Sequence, residues 1–161
     1  MLEIKKHSGV TTLRVVQNLP ISPDEAWKFL SSPHNLKKIT PAHMGFNITS
    51  DTSGETYPGQ IITYKVSPFP FLRLNWVTEI THYFEGRYFV DEQRFGPYSM
   101  WHHEHIVEPT ENGVNMVDIV TYKAPLGWIG DKFIEPLFIR GAVRKIFEHR
   151  FEILEKFFPR Q

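Results

Sequence analysis

Between Gly45 and Ala124 apolar residues recur at alternate positions, in runs broken by Ser53-Gly54, Pro58-Gly59, Glu85-Gly86, Gly96-Pro97 and Asn112-Gly113. A period of two puts successive side chains on opposite faces of an extended chain, and the Gly and Pro pairs mark the turns. The stretch predicts a meander of about six antiparallel strands. Phe46 and Ile48, then Ile62, Tyr64 and Val66, then Leu72, Leu74, Trp76 and Ile80 each share a face. The opposite face is largely polar, so one side of the sheet is covered and the other meets water. Ser67-Pro68-Phe69-Pro70-Phe71-Leu72 is expected to leave the sheet as a loop, because prolines cannot donate to a central ladder. Phe69 and Phe71 would then form a cavity lid, a dimer contact or a loop folded onto the core.

The flanks have a different period. Leu13, Val15, Gln17 and Leu19 alternate with polar neighbours and predict an opening strand that ends at Pro20. Ser22-Pro23-Asp24-Glu25 carries a cap, a proline at the first helical position and a glutamate at the third. Ser32-Pro33 repeats the start signal and Thr40-Pro41 stops it, so two short helices follow in tandem. After Pro125, Phe133, Leu137, Gly141, Phe147, Phe151, Leu154 and Phe158 recur at helical spacing. That helix spans nearly 30 residues, roughly 40 Å, and Pro136 starts it late or kinks it. Strands that run consecutively, with helices at two places, predict an α+β chain of one domain over residues 1–161. One helix cannot fill a wide curved sheet, so a cavity is expected between them.

Lysine plus arginine and aspartate plus glutamate both number 18, which leaves no net basic field for nucleic acid or an anionic membrane. There is no cysteine, hence no disulfide, thiolate nucleophile or cysteine-held metal. The N-terminus lacks an apolar core of signal-peptide length, and no segment approaches the roughly 18 apolar residues of a spanning helix. A soluble, cytoplasmic protein is expected.

The element order, the run Phe89-x-Asp91-x-Gln93-x-x-Gly96-Pro97-Tyr98-x-x-Trp101-x-His103-x-His105, and the later Asp118-x-Val120-x-Tyr122-x-x-Pro125-x-Gly127 resemble the SRPBCC superfamily. The likeness covers nearly the whole chain and is strongest to bacterial ligand-binding members, kin of START domains and polyketide cyclases. It implies a helix-grip fold: a curved antiparallel sheet of about seven strands around a long C-terminal helix, with two short helices after the first strand. It also implies an apolar cavity, a small hydrophobic or amphipathic ligand, and no cofactor. For function the resemblance is broad, since carriers, receptors, cyclases and hydratases share the fold.

Residues Phe89 to Val107 hold three of the chain's eight histidines. A two-residue loop at Asn112-Gly113 would set Val107 opposite Asp118, His105 opposite Val120 and His103 opposite Tyr122. At Gly96-Pro97 a three-residue loop would set Asp91 opposite His103; a two-residue loop would set it opposite His102. The first alternative is preferred and keeps Phe89, Asp91 and Gln93 on the face of Trp101, His103 and His105. His102, Glu104 and Ile106 then face solvent.

Four readings of this cluster stay open. The histidines bond to Asp91 and Asp118 as a buried structural network, or that network grips the polar end of a ligand. In a catalytic version His103 or His105, oriented by Asp91 or Asp118, is a general base for proton abstraction beside a carbonyl. His-x-His with either aspartate also has the spacing of a two-histidine, one-carboxylate metal site, although no metal is expected. The residues assigned to ligand binding are Trp76, Phe89, Asp91, Gln93, Trp101, His103, His105, Asp118, Tyr122, Phe133 and Leu137, with Trp27, Phe46, Tyr64 and Phe147 as further apolar candidates. Arg140, Arg144, Lys145 and Arg150 are read as a solvated helix face beside Glu148, Glu152 and Glu155, unless Arg140 or Arg144 turns toward a cavity carboxylate. The expected partners are a small apolar or amphipathic molecule and, in one alternative, a second copy of the chain.

Overall fold

The computed structural model describes residues 1–52, 54–69 and 72–160. Strand β1 (Leu2–His7) turns through Ser8 and Gly9, both at positive φ, into β2 (Val10–Leu19). Helices α1 (Pro23–Leu30) and α2 (Pro33–Lys38) and a short 3₁₀ turn (Ala42–Met44) lead to β3 (Asn47–Ile48). Five long strands follow: β4 (Ile61–Phe69), β5 (Leu72–Phe84), β6 (Tyr88–Phe95), β7 (Met100–Thr110) and β8 (Gly113–Lys123). The C-terminal helix comprises α3 (Gly127–Ile129), a π-helical segment (Gly130–Ile139) and α4 (Arg140–Phe157).

All eight described strands form one antiparallel sheet in the order β1-β2-β8-β7-β6-β5-β4-β3. The sheet is curved, with the C-terminal helix and the two short helices after the opening strands. Because β2 and β3 lie near opposite edges, α1 and α2 must cross from one side of the sheet to the other. The pair closes one end of the curve.

Sequence chemistry explains most of these elements. Ser22 Oγ accepts from the Glu25 N–H at 3.2 Å ahead of Pro23, so α1 begins with a satisfied cap. Ser32 makes no such bond, and α2 rests on Pro33 at its first turn. Pro136 lies inside the C-terminal helix without breaking it. It has no N–H to give, and the wider π turn, where the Arg140 N–H reaches back to the Glu135 carbonyl, relieves the crowding an α-helix would suffer there.

Four expectations need correction. The strand β1 was not anticipated, since only Leu2 and Ile4 contact the core and the strand is otherwise exposed. Ser67 to Phe69 continue β4 through a β-bulge and pair back with Leu72, so the segment is not wholly a loop. Pro70 and Phe71 lie outside the described residues. The β7–β8 turn is Glu111-Asn112, with Thr110 opposite Gly113, and the register is two residues from the expected one. Gly113 serves a close approach instead: at φ 139°, a Cβ there would stand 2.1 Å from the Leu19 carbonyl oxygen.

The core falls into two groups. One joins α1 and α2 to β4 through β7 by way of Trp27, Phe46, Tyr64, Trp76 and Phe89. The other packs α4 and the π-helical segment on β2 and β8 through Leu13, Val120, Tyr122, Val143 and Phe147. Tyr98 and Trp101 touch both. No helix among the described residues is long and apolar enough to cross a membrane.

Candidate functional site

The two-residue alternation of β7 turns His103 and His105 to the concave face, and the ladder supplies their partners. Asp91 on β6 pairs with His103 across one side of β7, and Asp118 on β8 pairs with His105 across the other. The preferred β6–β7 register therefore holds. The β7–β8 shift of two residues preserves every face, so the aspartates and histidines converge as expected.

His105 Nε2 bonds to Asp91 Oδ2 at 2.7 Å, and His103 Nε2 bonds to Asp118 Oδ1 at 3.0 Å. The other ring nitrogens complete a ring of close approaches, His103 Nδ1 at 3.4 Å from Asp91 and His105 Nδ1 at 3.2 Å from Asp118. The latter is close but off line, and His105 Nδ1 makes no hydrogen bond. The imidazoles lie 3.7 Å apart, and His105 also stacks on Phe89 at 4.4 Å. From α4, Arg150 Nη1 approaches Asp118 Oδ1 at 3.0 Å. His103, His105, Asp118 and Arg150 are each 6% exposed or less, so these charges balance one another with little help from water.

Burial by itself would raise the Asp118 carboxyl, but the Arg150 guanidinium, with the bond from His103 and the close approach of His105, holds it well below the usual carboxylate range. Burial likewise opposes ionisation of Asp91, and the two histidines outweigh it, so this carboxyl is also lowered. His103 is lowered, by burial and then by the charge of His105. His105 goes the other way, because its two carboxylate contacts overcome burial and raise it. The two imidazoles are thus pushed apart, His105 toward its charged form and His103 toward its neutral form, beside two carboxylates and one guanidinium.

A cavity of about 60 Å³ lies under α1 and α2 and ends at this cluster. Leu36, Ile39, Phe46, Ile62, Ile80 and Phe89 provide apolar wall, and Asp91, His105 and Arg150 provide the charged end. Ligand pockets generally enclose roughly 300–1,000 Å³, so this one is closed down. Aromatic packing accounts for the difference. Trp101 meets Trp76 edge-on at 5.3 Å, tilts against Tyr98 at 4.8 Å and stacks on Tyr122 at 6.1 Å, filling space between the helix and the sheet.

Of the residues assigned to ligand binding, Phe89, Asp91 and His105 line the cavity. His103 and Asp118 stand behind them in the cluster, while Trp76, Trp101 and Tyr122 belong to the aromatic fill. The Gln93 amide clamps the backbone of Tyr98 in both directions, at 2.7 and 3.2 Å, and so fixes the β6–β7 turn. Phe133 and Leu137 are 47% and 69% exposed and are not brought to the cavity. The inward stripe of the helix runs instead through Glu135, Ile139, Val143 and Phe147, which leaves Phe133 and Leu137 on its outer side.

Two residues were missed. Arg150, read as part of a solvated face, is buried, and its position on the stripe Val143, Phe147, Arg150, Leu154 was the available signal. Glu135 is 1% exposed and gathers Thr11, Tyr122, Lys6 and Arg140, so Arg140 does turn to a carboxylate, though to one on its own helix. Asp91, His103 and His105 also bring three potential metal-ligand atoms within 4.8 Å of one another. Those donors suit imidazole-and-carboxylate chemistry, yet here His105 bonds to Asp91 and His103 to Asp118, which Arg150 also meets.

No family model and no curated protein matches the chain. Solved structures do. Major latex-like protein 151 from Panax ginseng superposes with a TM-score of 0.67 at 13% identity, covering 95% of this chain and 100% of that one. A Thalictrum norcoclaurine synthase point mutant, in complex with a transition state analogue, gives 0.64 at 14% identity over 95% and 99%. This is the helix-grip fold of SRPBCC, Bet v 1-type proteins. Protein CV1439 from Chromobacterium violaceum shares it, with a TM-score of 0.68 at 10% identity over 93% of this chain and 99% of that chain. The helix-grip fold accounts for the curved sheet and the position of the cavity; the charged cluster is argued from this chain's own side chains.

Proposed function

We propose that this chain binds a small apolar or amphipathic molecule in the cavity under α1 and α2, as a carrier or sensor, with the molecule's polar end against Asp91, His105 and Arg150. One observation carries the reading: an apolar cavity ends at buried ionisable groups, some of whose polar atoms have no partner. Water-excluded charges of this kind are costly unless something completes them. Helix-grip neighbours that include a synthase with a bound transition-state analogue support a cavity function without naming the ligand. At its present volume the cavity holds little more than a few waters, so binding requires α1 and α2 to move away from the sheet.

A second reading has its own support. The Asp91–His105 pair lines the cavity and has the geometry of a carboxylate-oriented imidazole, so a cyclase- or dehydratase-like proton transfer at His105 is the enzymatic alternative. The apolar side chains exposed on the C-terminal helix, among them Trp128, Phe133, Leu137 and Phe138, support a second copy of the chain as the cover for that face. Sedimentation that finds only monomer at raised protein concentration contradicts this assembly.

Native mass spectrometry of the purified protein, followed by identification of what denaturation releases, tests the main proposal. The expected result is one organic molecule of low polarity per chain. A stoichiometric metal ion would contradict the proton-bridged cluster and favour coordination by Asp91, His103 and His105.

A further inference from the structure

Among the described residues, the buried side-chain atoms without a hydrogen-bond partner are Trp27 Nε1, Ser31 Oγ, His105 Nδ1, and Nε and Nη2 of Arg150. Only His105 and Arg150 of these residues line the cavity. His105 Nδ1 still has Asp118 at 3.2 Å, whereas Arg150 spends Nη1 on Asp118 and leaves its Nε–Nη2 edge unanswered at 4% exposure. Asn35 and Thr78 of the wall are engaged: the Asn35 amide donates to the Phe29 carbonyl at 2.9 Å, and Thr78 Oγ1 meets Tyr64 Oη at 2.6 Å and the Trp76 indole N–H at 3.0 Å. A guanidinium can only donate, so whatever completes it must bring oxygen acceptors.

The same molecule shows what this edge selects. Arg140 turns its Nε and Nη2 on the two oxygens of Glu135, at 2.9 and 2.8 Å. Two parallel N–H groups match the two coplanar oxygens of a carboxylate. We propose that the Nε–Nη2 edge of Arg150 is the subsite for the carboxylate of a small amphipathic monoacid whose apolar part fills the cavity. This rests on the cavity-binding reading and names its ligand class.

The charges that face the subsite decide how much negative charge it accepts. They are Asp91 from β6, His103 and His105 from β7, Asp118 from β8 and Arg150 itself from α4. Two carboxylates, Asp91 and Asp118, already face the subsite, so a monoanion is favoured over a dianion such as a phosphate monoester.

Isothermal titration of the full chain with octanoate and with 1-octanol tests the assignment, since the probes share an alkyl body. Octanoate is expected to bind roughly tenfold to hundredfold more tightly than 1-octanol, the worth of a charge-assisted pair of bonds. Arg150→Lys keeps a cation beside Asp118 but removes the fork, and is expected to bring octanoate down to the level of 1-octanol measured in the same variant. Should that variant fail to unfold cooperatively, octanamide is given to the unaltered protein, where its single acceptor oxygen is expected to lose most of the octanoate advantage. Equal affinities for octanoate and 1-octanol in the unaltered protein overturn the carboxylate subsite and leave the cavity reading in place. An octanoate preference that survives Arg150→Lys overturns the assignment to Arg150. If neither probe binds, the cavity reading itself is overturned.

Discussion

Arg150 shows how one side chain decides the state of its neighbours. Without it, Asp118 would be a buried carboxylate held only by imidazoles, so Arg150→Met is expected to cost about 3–5 kcal/mol in urea denaturation. The paired histidines should separate under titration. Followed by imidazole nitrogen shifts, His105 is expected to keep its proton above pH 6.5, the ordinary histidine value, while His103 loses its own below it. The raised value on His105 means that its contribution to stability is complete below about pH 6.5 and is lost as pH rises through the folded value. The lowered value on His103 acts oppositely, destabilising as pH falls below about 6.5. Asp91 and Asp118, both lowered, contribute above about pH 4 and lose that contribution as acid carries them through their folded values. Two histidines titrating together near 6.5 would contradict the whole arrangement. At this scale the aspartates and histidines were legible, because strand alternation fixes a face even where register slips by two. Arg150 was not, because four basic residues on one helix suit solvent until the stripe they interrupt is traced.

At the scale of elements, turns and helix register carried the surprises. Asn112-Gly113 reads as a hairpin turn, but Gly113 is needed beside Leu19, a contact between strands distant in sequence that no local pattern contains. Gly113→Ala is expected to destabilise by about 1–3 kcal/mol, from strain at positive φ and the displaced carbonyl, measurable as a lower urea midpoint. The two short helices were legible from their caps and prolines, and seven of the eight described strands from alternation, β1 being the exception. Pro136 signalled a departure from α geometry without saying which. The π-helical segment it occupies is tied to the sheet by Glu135, whose carboxylate reaches Lys6 on β1, Thr11 on β2 and Tyr122 on β8. Glu135→Ala should therefore loosen this one element, costing about 1–3 kcal/mol and speeding amide exchange in residues 130–139 ahead of α4. Exchange that rises uniformly along the helix would contradict that role.

For the whole molecule, element order and the change of hydrophobic period were sufficient to anticipate an α+β sheet gripped by a helix. The volume left inside was not legible, because it depends on how Trp76, Tyr98, Trp101 and Tyr122 interlock, and packing of that kind has no period. The closed cavity makes α1 and α2 the moving parts of the account, and ligand entry should be accompanied by slowed exchange at both once the site is filled. The central claim is that the cavity under these helices, and not the apolar surface of the C-terminal helix, takes up a small amphipathic molecule. Methyl-resolved NMR during titration with 1-octanol tests it most directly. Saturable shifts at Leu36, Ile39, Ile62 and Ile80, with Leu126 and Leu137 unmoved, are the result predicted; shifts confined to Leu126 and Leu137, or no saturation at any methyl, would contradict it.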